Sequence, residues 1–588
     1  MAQRLPEVDV VLVGVGWTGS LIGKELTDAG YRVVGLERGA SRQTVPHFQS
    51  PTMHDELTYG VRHGLMLDPA KETVTFRNFA GQRALPIRQL GSFLPGVDLG
   101  GAGVHWNGQT WRFQESDFVL RSHIEQRYGA EIIQDGLTIQ DWGVTYDELE
   151  QHYDRFEKIC GIAGTAGNLR GTIRPGGDPF EAPRSDEFPN PPMTQPTAAL
   201  LFGEAAAKVG AHPFPVPSAN VTRPYRNPYG CAMQPCNACG FCERFGCEHF
   251  AKASPQTAVL PALLRSDKFE LRTRATVTRV NYDRAGRRAT GVTYIDGRGR
   301  EVEQPAGVVI LCAFAYHNVR LLLLSGIGKP YDIETGEGVV GRNYTYQTMS
   351  GVSVFMDEDT RLNPYMGAGA LGTAVNDWNG ENFDHAGLGF IGGAYIGCFQ
   401  TGGRPIQHHP VPTGTPRWGL AWKQAVRRHY NSALAIGVHG SSMPHRGNGL
   451  DLDPTYTDAL GLPLLRMTFD FPANDRLMSD YVTDRAVEIA NAMGGRVDVS
   501  RRTGLYSVVP YQTTHNTGGA AMGDDPRTSV VNRYLQCWDA HNVFVTGASV
   551  FPHNPGYNPT GTVGALALWA AQALKDRYLP NPQPLVRT

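Results

Sequence analysis

Residues 8–39, VDVVLVGVGWTGSLIGKELTDAGYRVVGLERG, restrict the folds open to this chain more than any other stretch. Val8 to Val13 form a β-branched run of the kind that occupies a central parallel strand, buried on both faces. Gly14, Gly16 and Gly19 follow it in the spacing G-x-G-x-x-G. The first glycine permits a tight turn, the second lets the backbone approach a pyrophosphate, and the third lets a helix pack on the strand. Leu21, Ile22, Leu26 and Ala29 then share one helical face, and a second strand ends at Glu37. That carboxylate lies eighteen residues beyond Gly19, placed to accept hydrogen bonds from ribose hydroxyls. A lone glycine triplet is common in chance loops. Here the strand before it, the helix after it and the acid beyond make a dinucleotide site. The run Glu37-Arg38-Gly39 is more typical of FAD-dependent folds than of nicotinamide enzymes.

At 588 residues the chain is long enough for a large core and more than one domain. Its 54 Lys and Arg nearly cancel its 56 Asp and Glu, so no long-range field attracts nucleic acid or an anionic membrane. The 69 Gly and 40 Pro point to many tight turns and long, shaped loops. No apolar run reaches the roughly 18–20 residues that span a bilayer. The opening MAQRLPEVDVVLVG has no basic region, apolar core and cleavage site of the export type. The expectation is therefore the cytoplasm, or export in complex with a partner that carries the signal.

Three further stretches bear on the nucleotide. GVDLGGAGVHWNGQTWRF (96–113) supplies Gly100, Gly101 and Gly103, then His105, Trp106 and Asn107. VVILCAFAYHNVRLLLLSGIG (308–328) reads as strand, turn and helix. GGAAMGDDPRTSVV (518–531) precedes HNVFVTGASVFPHNPGYNPTGTVGALALWAAQAL (541–574), whose Asn558, Pro559 and Thr560 introduce an apolar helix from Thr562 to about Lys575. Together these resemble the glucose–methanol–choline (GMC) oxidoreductases over the whole chain.

The resemblance implies an α/β fold: a Rossmann-like FAD-binding domain, of the type shared with p-hydroxybenzoate hydroxylase, interleaved with an α+β substrate domain. It aims the N-terminus of the last helix at the flavin N1–C2=O edge, where its dipole stabilises the reduced ring. It makes His515, in TTHNTGG, the catalytic histidine and Asn558 its partner. Imidazole suits removal of an alcohol proton as hydride leaves for the flavin. The bland alternative is a satisfied core histidine. Asn516 is another candidate for the second polar group, while His541 and His553 are read as structural. His105 stands where some relatives bond a histidine covalently to the flavin; otherwise it packs on the ring or hydrogen-bonds it. Val277 matches the position whose backbone meets the adenine. Two stretches depart from the pattern: Gly547 and Ala548 stand where many relatives carry an acid, and AFAYHN (313–318) replaces a turn of small residues.

CNACGFCERFGC (236–247) is not needed by a flavin. Five of nine cysteines crowd into residues 231–247, and Cys236, Cys239, Cys242 and Cys247 follow C-x2-C-x2-C-x4-C. Such short spacings would strain disulfides. Four thiolates suit structural zinc, but zinc knuckles come as pairs with a longer loop between them. Cysteines at steps of three, plus a later one, fit iron–sulfur ligation better. Cys231 lies outside the pattern, and Cys160, Cys312, Cys398 and Cys537 read as core thiols.

The surrounding CGFCERFGCEHFAKASPQTAVLPALL resembles the large subunits of membrane-associated bacterial sugar and sugar-acid dehydrogenases of the gluconate 2-dehydrogenase type. That resemblance implies oxidation of a secondary hydroxyl of a sugar acid, first of all D-gluconate to 2-dehydro-D-gluconate. It further implies a 3Fe–4S or 4Fe–4S relay, a cytochrome c partner, a small signal-bearing subunit, and the periplasmic face of the inner membrane. The alternatives are a dehydrogenase for glucose, sorbitol, 2-ketogluconate or another polyol, and a soluble oxidase with structural zinc. Residues 1–115, 200–345 and 505–588 are expected to form the FAD domain, with the cluster segment at 229–250. Residues 116–199 and 346–504 are expected to form the substrate side. In the latter, a helix is expected to be capped near Asn474 or Asp475.

Overall fold

The computed structural model describes residues 2–49, 64–89, 91–402, 408–509 and 511–587. Val8–Val13 does become a central strand, and Val10, Val11 and Leu12 are wholly buried. It lies between Val33–Glu37 and the second half of Glu301–Leu311, both parallel to it. Phe269–Thr273 extends the parallel sheet beyond Val33–Glu37, and Val543–Val545 runs parallel to Glu301–Leu311. The first half of Glu301–Leu311 turns instead into an antiparallel meander with Arg288–Ile295 and Thr276–Asp283. This long strand ties the nucleotide fold to the meander, because a strand of 11 residues spans both sheets' worth of partners.

A second, wholly antiparallel sheet has the order Arg496–Ser500, Thr348–Phe355, Ala433–Gly440, Ala394–Phe399, Gly372–Val375, Phe214–Pro215. Its alternation decides the position of the site. Val352, Val354, Ile436 and Val438 face the helices Ala473–Ala492 and Thr197–Lys208 in a buried cluster. The opposite face, carrying Met349, Ala435, Gly437 and His439, looks into a cavity shared with the nucleotide domain. Strands of the first sheet all fall within the segments expected to bind FAD. The second sheet lies within the expected substrate segments except Phe214–Pro215, which crosses over.

The Ala473–Ala492 helix differs from expectation at its start. Its N-cap is Pro472 and no side chain caps it. Asn474 and Asp475 lie in the first turn and face inward, where they accept the backbone N–H of Ile391 and Met443. Tertiary donors have replaced the helix's own N–H groups as their partners. The final helix runs Thr560–Ala573, slightly earlier than read from the sequence, with Pro559 as its N-cap.

Candidate active site

A cavity of about 490 Å³ is lined from both sheets. At one end lies the glycine turn. Gly14 has φ +95°, and a Cβ there would meet the Cys312 carbonyl oxygen at 2.6 Å, so only glycine fits. A Cβ on Gly16 would meet nothing nearer than 3.6 Å, which leaves the approach of a pyrophosphate open. The helix beginning at Trp17 has no side-chain cap, so its first N–H groups face that space. Gly19 does not line the cavity; a Cβ there would meet the Gly14 carbonyl oxygen at 2.2 Å, and its role is close packing of helix on strand.

Glu37 closes this end. Its buried carboxylate accepts the Val15 N–H at 3.0 Å and the Gly39 N–H at 2.9 Å. Burial pushes the carboxyl above its ordinary range, against the pull of those two donors. Val277 and the Arg38, Glu72, His317 group border the same end. Phe314 lines it too, at φ +81°, in the stretch where the resemblance implies a turn of small residues.

Further along stand Gly101 at φ +55°, the buried His105, and Asn107. Gly547 and Ala548 line the opposite wall, and a Cβ on Gly547 would meet nothing within 4 Å. Pro559 and Thr560 bring the uncapped start of the last helix to the cavity. Glycine cradle, ribose-facing acid and two open helix N-termini fit FAD; Glu37, the Gly14–Gly16 turn, Gly101, His105 and Thr560 would hold it. Bound there, FAD supplies a hydride acceptor.

His515 and Asn558 meet at the far end. Asn558 Nδ2 lies 3.3 Å from His515 Nε2. Asn558 Oδ1 is already occupied: Trp111 Nε1–H reaches it at 3.1 Å and the Tyr395 hydroxyl at 2.7 Å. Since an indole N–H can only donate, the amide has one orientation and its N–H faces the imidazole. His515 Nδ1 lies 2.5 Å from Gln347 Oε1. Burial, with the nearby His439 adding, brings the His515 pKa down to about 3, so the ring is neutral. Asn516 also borders the cavity, but its Oδ1 accepts the Tyr344 hydroxyl. His541 pairs with Tyr578, and His553 lies fully buried away from the cavity.

Sequence reading missed Gln347, His439, Tyr395 and Trp111. His439 had a weak local signal, a polar residue on the alternating ALAIGVHG strand. Gln347 had none. It comes beside His515 only because Tyr346 and Asn516 are register partners in a short antiparallel pair.

The cysteine loop is itself part of this wall, with Glu243 and Arg244 lining the cavity. Asn220 Nδ2 lies 3.5 Å from Cys236 Sγ and 3.6 Å from Cys242 Sγ. Backbone N–H groups of Ala238 and Lys252 point at Cys236 and Cys247 sulfurs, at 3.4 and 3.5 Å. Burial and the neighbouring Cys242 raise the Cys236 thiol to about 12, so it ionises only with a cation beside it. Lys252, wholly buried, donates from Nζ to the carbonyls of Trp106, Cys242 and Phe245 at 2.7, 2.8 and 3.0 Å. Cys231 lies apart, against the Ala262 backbone. No disulfide joins the described cysteines. Among the described residues no three His, Cys, Asp or Glu side chains converge on a single-ion position. Cys242 and Cys247 are buried and Cys236 and Cys239 half-buried, with N–H donors close to three of the four sulfurs.

A dinucleotide cradle opening onto a neutral imidazole and an oriented amide defines a flavin-dependent oxidoreductase of alcohol groups. The chain belongs to the GMC oxidoreductases: the N- and C-terminal models of that family match residues 221–349 and 444–567. It is 49% identical to the gluconate 2-dehydrogenase flavoprotein of Pantoea cypripedii, over 100% of this chain and 96% of that one. It is 28% identical to the 2-methyl-1,2-propanediol dehydrogenase of Mycolicibacterium austroafricanum, over 98% of this chain and 97% of the relative. In fold it is similar to the crystal structure of pyridoxine 4-oxidase from Mesorbium loti. The TM-score is 0.58 at 19% identity, covering 97% of this chain and 100% of that chain. The protein is an FAD-dependent CH–OH oxidoreductase.

Proposed function

We propose that this chain is the flavoprotein of a dehydrogenase that oxidises a secondary hydroxyl of a sugar acid, with D-gluconate to 2-dehydro-D-gluconate as the leading case. The observation that carries the chemistry is the 3.3 Å pairing of His515 Nε2 with Asn558 Nδ2 on the cavity wall. A hydroxyl placed between them gives its proton to the imidazole nitrogen while the amide N–H holds its oxygen. A base this weak suffices when proton and hydride leave together, because the product is a carbonyl and no free alkoxide has to form. The sugar-acid assignment is supported by the relative from Pantoea cypripedii.

Cys236, Cys239, Cys242 and Cys247 are assigned to an iron–sulfur cluster, 3Fe–4S or 4Fe–4S, a group that stores and passes single electrons. Its loop abuts the flavin wall, since the Arg244 N–H donates to the His105 carbonyl at 2.7 Å. One-electron traffic calls for a protein acceptor. The resemblance names a cytochrome c subunit and a small signal-bearing subunit, at the periplasmic face of the inner membrane. Among the described residues no helix is long and apolar enough to cross a membrane.

The test is anaerobic addition of D-gluconate to purified protein, with iron and acid-labile sulfide analysis. Bleaching of the flavin, with iron and sulfide present, is the expected result; yellow colour retained after acid precipitation would assign covalent attachment through His105. Hydrogen peroxide formation without dye reduction, and zinc in place of iron, would replace this reading with a soluble oxidase.

A further inference from the structure

Gln347 is wholly buried and is not among the residues that line the cavity. Its side-chain amide is nonetheless held at both ends. Nε2 donates to the Gly556 carbonyl oxygen, two residues before Asn558. A backbone carbonyl can only accept, so the amide cannot rotate by half a turn without setting oxygen against oxygen. Oε1 is therefore the atom that faces His515 Nδ1 at 2.5 Å, with His439 Nδ1 at the outer limit of the same oxygen, 3.4 Å. An amide oxygen facing a ring nitrogen at that distance requires the proton on Nδ1.

The other side of the ring gives the same answer independently. Trp111 and Tyr395 both donate to Asn558 Oδ1, which leaves an N–H pointing at His515 Nε2. Two amides, each oriented by a partner whose hydrogen-bonding role is invariant, read one tautomer. The frame is short and local: Asn554 Nδ2 donates to the His515 carbonyl at 3.1 Å, and Asn554 Oδ1 accepts the Gly556 N–H at 3.2 Å. The carbonyl that orients Gln347 thus belongs to the segment that also carries Asn558.

We propose that Gln347 is a positioning residue that holds His515 as the Nδ1–H tautomer, keeping Nε2 bare toward the substrate hydroxyl. Without it the ring is free to carry its proton on Nε2, where it blocks the only lone pair able to receive the alcohol proton. Asn558 alone opposes that tautomer through one contact of 3.3 Å. Burial acts in the same direction by keeping the ring uncharged, but it does not choose between nitrogens. This inference rests on His515 being the base.

The experiment is stopped-flow flavin reduction by the alcohol substrate across pH 3–9, a range that reaches the depressed His515 pKa, on holoenzyme, for Gln347→Leu, Gln347→Glu and His515→Ala. Gln347→Leu should lower the limiting reduction rate by about 10² or more, within the ~10²–10⁴ span of general base catalysis, with substrate Kd changed far less. Gln347→Glu keeps the acceptor and adds a charge beside Nδ1–H, so the acid limb of the profile should move up by about one unit or more. Its rate above that limb should exceed that of Gln347→Leu, and loss of the donation to the Gly556 carbonyl keeps it below the parent's. A Leu variant within about threefold of the parent, or a Glu variant with a superimposable profile, would overturn the role of Gln347. If Gln347→Leu fails to retain flavin, the Glu profile decides. Unchanged reduction by His515→Ala would instead remove the base itself, and so separates failure of that reading from failure of this one.

Discussion

Lys252 donates from Nζ to the backbone oxygen of Trp106 at 2.7 Å, joining the cysteine loop to the segment that carries His105. The ammonium is wholly buried and its other acceptors, the carbonyls of Cys242 and Phe245, belong to the loop itself. Such a charge is tolerated in an apolar interior only because several oxygens surround it. Replacing Lys252 by Met takes a donor from the Trp106 and Phe245 carbonyls, leaves the Cys242 oxygen with the Phe245 N–H at 3.1 Å, and removes the cation. The expected result is a loss of about 3 kcal/mol or more of stability, at about 1–3 kcal/mol per unsatisfied buried group. It should appear as a lowered urea midpoint together with a lowered iron-to-protein ratio. Unchanged values of both would show the clamp to be dispensable.

Asn558→Asp retains acceptors for Trp111 and Tyr395 but turns the N–H facing His515 into a carboxylate oxygen. A negative charge beside the imidazole favours its protonated form, so the His515 pKa rises from its depressed value near 3. A base is useful only when unprotonated. The acid limb of the profile should therefore move up by about one to three units, and loss of the N–H that holds the substrate oxygen should lower activity by about 10²-fold or more above that limb. The pH profile of kcat/KM checks this, and an undisplaced acid limb would contradict it.

Gly19→Ala places a methyl group against the Gly14 carbonyl oxygen, at 2.2 Å before relaxation. The helix must move off the strand, at a cost of about 1–3 kcal/mol for overpacking, and the glycine turn moves with it. Purified variant should carry much less flavin than the parent although Gly19 itself does not line the cavity. The ratio of flavin to protein absorbance measures the effect.

Stability should depend on pH through buried groups of both kinds. His152 and His553 are held down to about 4 and about 3 by burial, so their contribution is complete above about pH 6.5 and is lost as pH falls toward those values. Asp117 and Asp178 are raised by burial to about 8. Their sign is opposite: the contribution is complete below about pH 4 and is lost as pH rises through about 8. The two sets oppose each other between about pH 4 and 6.5. Above it only the acids act, each with a slope of up to about 1.4 kcal/mol per pH unit. Urea midpoints should fall from pH 6.5 to 8; a flat or rising curve there would mean that the two carboxyls ionise without cost in the folded chain.

Local chemistry made much of the nucleotide end legible. The strand, the glycine turn and the acid of residues 8–39 act on one another within one supersecondary unit, and the structure reproduces their relation in the Val15 and Gly39 N–H bonds to Glu37. Asn474 and Asp475 show the limit of such reasoning. Both have the chemistry of a helix cap, yet N–H groups from residues 391 and 443 claimed them, and no local pattern announces a distant donor.

The amino-acid order by itself determined a dinucleotide turn, and its resemblance to the GMC oxidoreductases implied that His515 and Asn558 would stand together near it. It also determined that four cysteines would crowd one loop. Only the tertiary structure decided which nitrogen of His515 is bare, since that depends on Gln347, Trp111 and Tyr395 arriving from 168, 404 and 120 positions away. The same holds for Lys252, whose charge is unremarkable in sequence and acquires a function once burial removes water and leaves three backbone oxygens in its place. A hydrogen-bond direction is a property of the partners, and the partners of a buried group are chosen by the fold.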